Sequence, residues 1–68
     1  MARRPRYSKR FLAELWAACE ALGITGLQIA EAANVNPTHV YNVRAGRRRS
    51  EPVVATAIRL RNERQSAA

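Results

Sequence analysis

Apolar residues recur at helical spacing in the first third of the chain. Phe11, Leu15, Cys19 and Leu22 follow one another at intervals of four, four and three, and Leu12 and Trp16 widen the stripe. That is one face of an amphipathic helix. Ser8 stands where an N-cap oxygen accepts a free first-turn N–H, and Gly23 stands where a left-handed residue ends a helix. The pattern predicts a helix over residues 8–22.

The next pattern is shorter and better punctuated. Thr25, with Gln28 three residues on, fits a capping box, in which each residue's side chain satisfies the other's backbone N–H. A helix over residues 26–33 follows, with Leu27, Ile29, Ala30 and Ala33 as its inward residues. Asn34 is the expected stop, because asparagine tolerates the left-handed conformation better than most non-glycine residues. Asn36-Pro37 restarts the chain as N-cap and first helical residue. The third helix runs from residue 37 to 44 or 45, with Val40 and Val43 inward and Gly46 as its stop. Ser50-Glu51-Pro52 opens a fourth, whose apolar side is Val53, Val54, Ala57, Ile58 and Leu60. No apolar residue but alanine follows Leu60, so this helix is expected to fray after Arg61. The organisation read from these patterns is a flexible basic arm at 1–7, one domain at 8–62 and a loose tail at 63–68. The fold class is an all-α bundle of four, or at most five, short helices.

Composition agrees with that class. Much of the 47% apolar content is alanine, and Tyr7, Phe11, Trp16 and Tyr41 are the only aromatics. A β-sandwich needs alternating runs of branched residues that are missing here. A chain of 68 residues is sized for one domain, which buries only about 60% of its unfolded surface. A deep catalytic pocket or an effector-binding domain is therefore not expected.

Charge narrows the function. Twelve Lys and Arg stand against five Asp and Glu, a net +7, and eleven of the twelve are Arg. Arginine binds phosphate through a planar fork, so this excess points to a polyanionic partner, and nucleic acid is the first candidate. A membrane-surface role fits poorly, because the cations do not line one face of a long amphipathic helix. No signal peptide or spanning segment is legible, which predicts a cytoplasmic, nucleoid-associated protein. Cys19 is the single cysteine and His39 the single histidine. They lie in different predicted helices with no carboxylate cluster beside them, so neither enzyme activity, a metal site nor a cofactor is expected. Cys19 reads as a small buried hydrophobe.

The segment from Gln28 to Val43 (QIAEAANVNPTHVYNV) resembles the helix-turn-helix of the phage-repressor-like (lambda-repressor-like) DNA-binding family, and the resemblance extends over residues 22–60. Ala30 is small where the two helices cross closest. Asn34 takes the turn position at which the family prefers glycine. Val35 plugs the corner, and Ile29, Ala33, Val40 and Val43 form the shared core. The resemblance implies that the helix starting at Pro37 enters the major groove of double-stranded DNA.

With Val40 and Val43 inward, Thr38, His39, Tyr41 and Asn42 are the candidate base contacts. Asn42 leads them, because its amide can pair with adenine N6 and N7. Tyr41 can instead pack over the edge of the core. Gln28, Arg44, Arg47, Arg48 and Arg49 are the candidate phosphate contacts, and Arg3, Arg4 and Arg6 form an arm able to reach a neighbouring groove. The expected function is a transcriptional regulator, a repressor acting by promoter occupancy and autoregulating a phage or mobile-element operon. The expected partner is an inverted-repeat operator bound by a homodimer whose half-sites lie about 34 Å apart, with no small-molecule effector. Two alternatives stand beside it: a protein-interaction module such as an anti-repressor, and an architectural DNA- or RNA-binding protein.

Overall fold

The computed structural model describes residues 7–67. Four helices follow one another: α1 (Lys9–Ala21), α2 (Gly26–Ala33), α3 (Pro37–Arg44) and α4 (Glu51–Ala67), with no strand among the described residues. Each helix starts where a side chain meets an orphan N–H. Phe11 N–H donates to Ser8 Oγ at 3.0 Å, and Thr38 N–H donates to Asn36 Oδ1 at 2.8 Å. The capping box at α2 closes in both directions: Gln28 N–H donates to Thr25 Oγ1 at 3.1 Å, and Thr25 N–H donates to Gln28 Oε1 at 3.3 Å. Ser50 caps α4 through Val53 N–H, at 3.4 Å.

The first three helices end in one way. Gly23, Asn34 and Gly46 all have positive φ, at 75°, 59° and 82°. After each, the following residue's N–H reaches back five residues: Ile24 to the Cys19 carbonyl, Val35 to Ala30 and Arg47 to Asn42, at 2.8, 2.9 and 2.9 Å. These are Schellman exits, which satisfy carbonyls the helix leaves open. The residue after the turn normally packs back on the helix. Ile24 does so and is buried, and Val35 packs against the core. Arg47 is exposed, so the third exit has no apolar anchor.

The core consists of Leu15, Trp16 and Cys19 from α1, Ile24, Ile29 and Ala30, Val40 and Val43 from α3, and Val53, Val54 and Ala57 from α4. α2 packs against both α3 and α4, and α1 packs on α4. The apolar side of α4 is thus taken up within the chain's own core, with Ile58 and Leu60 packed at its edge.

Two expectations are corrected. Leu27 is not inward; it is 52% exposed. At 100° per residue it falls about 110° from the centre of the face formed by Gly26, Ile29, Ala30 and Ala33, and Gly26 occupies the buried place instead. Residues 63–67 are not a loose tail, because α4 continues to Ala67. Arg64 Nη1 donates to the Leu22 carbonyl oxygen at 3.1 Å, so α4 covers the open end of α1 across 42 positions of sequence. Arg, Glu, Gln and Ala in that stretch are also good helix formers. Of the expected arm at residues 1–7, residues 1–6 lie outside the described residues, as does Ala68, while Tyr7 is described and stacks on Phe11 at 5.3 Å between ring centroids.

The turn between α2 and α3 yields a prediction. Alanine at position 34 must adopt φ near 59° without asparagine's tolerance, so Asn34→Ala should cost about 1 kcal/mol, whereas Asn34→Gly should be neutral or stabilising. Urea denaturation of the two variants checks this; equal loss in both would place Asn34's role in its side chain.

Candidate nucleic-acid interface

The interface is built on α3. Pro37 supplies a pre-set φ at the first helical position and lacks only an N–H that would be orphaned there. Val40 and Val43 are 0% and 4% exposed and pin one side of the helix to the core. The other side divides in two around Thr38, which is exposed. By helical geometry Asn42 lies about 40° to one side of Thr38 and Tyr41 about 60° to the other.

Thr38 and Asn42 are one turn apart and share a face. Asn42 is half-buried. Its carbonyl accepts from Arg47 N–H at 2.9 Å and Arg48 N–H at 3.3 Å, which fixes its backbone. Its side-chain amide has no partner among the described residues, so donor and acceptor both remain available. His39 continues this flank and is half-buried.

The opposite flank turns towards α1 and α2. Tyr41 is 55% exposed, and its ring lies over Gly26. Arg44 does not stand free beside the basic loop. Its guanidinium sits 5.8 Å from the centroid of the Trp16 ring, a cation–π contact that ties the end of α3 to α1. Tyr41 and Arg44 line a shallow groove of about 390 Å³, completed by Glu20, Gly23, Ile24, Thr25 and Gly26. Of the candidate base contacts, then, His39 and Asn42 lie to one side of exposed Thr38, and Tyr41 lies to the other, against Gly26.

Arg47, Arg48 and Arg49 are exposed in the loop that leaves α3 and form no ion pair among the described residues. The stretch 37–50 carries Arg44 and these three arginines and no acidic residue, although Glu20 lines the groove beside Arg44. Gln28 is exposed at the start of α2. The capping box uses its Oε1, leaving the amide nitrogen free to donate. Arg3, Arg4 and Arg6 lie outside the described residues.

Sequence reasoning missed three contributors. Ile24 is buried at 3% exposure; its signal was its place directly after Gly23, where a Schellman exit expects an apolar residue. Gly26 and the Trp16–Arg44 contact join residues far apart in sequence and have no local signature. Cys19 is buried, with its thiol 3.9 Å from the Ala57 carbonyl oxygen. Burial pushes that thiol up from its ordinary range, against the opposing pull of the Arg44 and Arg61 cations. It is a packed core atom, the inert form of cysteine.

No group of three or more His, Cys, Asp or Glu able to hold a metal occurs among the described residues, and no described helix is long and apolar enough to cross a membrane. No protein-family model, curated protein or solved structure matches the chain.

Proposed function

We propose that this chain is a sequence-specific double-stranded DNA-binding protein of helix-turn-helix type, acting as a transcriptional repressor by occupying a promoter. The observation that carries this reading is the free side-chain amide of Asn42. It lies one turn from exposed Thr38, on a helix whose far side is anchored by Val40 and Val43. A helix anchored to the core, with an uncommitted, half-buried amide beside exposed Thr38, suits hydrogen-bond readout of base edges in the major groove. The positive stretch that follows suits phosphates, which fix register and carry little sequence information.

A repressor of this kind has a small reading head, and pairing on DNA extends the site. The apolar residues of α4 are used in the core, and the exposed large hydrophobics among the described residues are Tyr7, Leu27 and Tyr41. The proposed homodimer brings two copies to adjacent half-sites. Autoregulation of a phage or mobile-element operon belongs to the same proposal.

Selection from a random duplex library at about 150 mM salt, where non-specific attraction is weakened, tests the reading. The expected product is an inverted repeat with half-sites about one helical turn apart. Tight binding without an enriched motif would replace the proposal with an architectural or RNA-binding role. No binding would replace it with a protein-interaction role. Asn42→Ala should relax discrimination at one base pair per half-site by about 1–3 kcal/mol, measured as the affinity ratio between selected and point-changed duplexes; equal weakening on both removes Asn42 from readout. Replacing Arg47, Arg48 and Arg49 together by Gln should weaken binding to every duplex. It should also flatten the dependence of log affinity on log salt by about 0.9 per lost phosphate contact. An unchanged slope would show that this loop does not touch DNA.

A further inference from the structure

The three glycines answer two different needs. Gly23 and Gly46 have positive φ and nothing within 4 Å of an added Cβ, so their backbone conformation requires glycine. Gly26 is the reverse case. It is the first residue of α2, in ordinary helical conformation, and buried. An added Cβ would stand 2.9 Å from Tyr41 Cε1, 3.4 Å from Cδ1 and 3.6 Å from Cζ. Helix propensity alone would favour alanine there. What glycine supplies is the space for the Tyr41 ring.

We infer that Gly26 is a positioning residue for Tyr41: by leaving out a side chain it seats the ring on the first turn of α2 and directs Tyr41 to the DNA sugar–phosphate backbone instead of a base. The inference rests on the proposed DNA-binding function. Tyr41 lies on the Arg44 side of Thr38, about 60° round the helix from it and about 100° from Asn42, and lines a groove together with Arg44. The ring is 55% exposed, so a methyl group at position 26 can push it into solvent at little cost to the core. Ring placement and fold are thereby separable.

The experiment is a double-mutant cycle on the intact chain, with binding measured on a selected duplex and on a scrambled one. Gly26→Ala should leave the thermal midpoint unchanged or raised. It should weaken binding to both duplexes by a common factor of about three to ten, the worth of one hydrogen bond. Tyr41→Ala should weaken binding to both at least as much. Adding Gly26→Ala to Tyr41→Ala should then change binding by less than about twofold, the usual limit for uncoupled changes. A full second loss in the double variant, or a loss confined to the selected duplex, overturns the inference. A nuclear Overhauser effect between Gly26 Hα and the Tyr41 ring protons in the free protein should be present and should vanish in Gly26→Ala; its absence from the unaltered protein also overturns the inference. Because that signal needs no DNA, a protein that shows it yet binds neither duplex fails on the DNA-binding reading and not on the seating of the ring.

Discussion

The left-handed turn at Asn34 fixes how the two central helices meet. With φ at 59° the chain reverses within one residue, and the Val35 N–H returns to the Ala30 carbonyl at 2.9 Å. Ala30, which accepts that bond, is itself buried, Val35 packs against the core, and α3 starts two residues later, capped by Asn36 with Pro37 as its first residue. Val40 and Val43 then reach the core that α4 has closed from the other side. A domain of this size has few buried side chains to spare, so the angle between α2 and α3 is held by backbone hydrogen bonds and caps as much as by packing.

This explains why so much of the fold was legible in the sequence. Ser8, Thr25 with Gln28, Asn36 with Pro37, and the left-handed Gly23, Asn34 and Gly46 are local signals, and each does in the structure what its type and position predict. What was not legible depends on distant residues. Leu27 looked inward because it is leucine, but the helix face is set by what α3 and α4 press against, and there a glycine serves better. The end of α4 lacked apolar residues and so looked loose, yet Arg64 finds the open carbonyl of Leu22, a partner no sequence window contains.

The candidate site divides along the same line. That Thr38 and Asn42 stand outward follows from the inward valines and the period of the helix. That Tyr41 and Arg44 are drawn towards α1 and α2 does not, because it depends on the bare surface of Gly26 and the face of Trp16. A helical wheel gives the four outer residues of α3 equal standing; the neighbouring helices give them different surroundings.

The exposed Arg47 at the third exit has a further consequence. The first two exits are locked by Ile24 and Val35, so a change there disturbs both a turn and the core. The third is closed by backbone hydrogen bonds, and the side chains at 47, 48 and 49 are exposed. A substitution in that loop changes surface charge without removing a core side chain. Positive charge at this end of α3 is thereby set apart from the packing that holds the helices together.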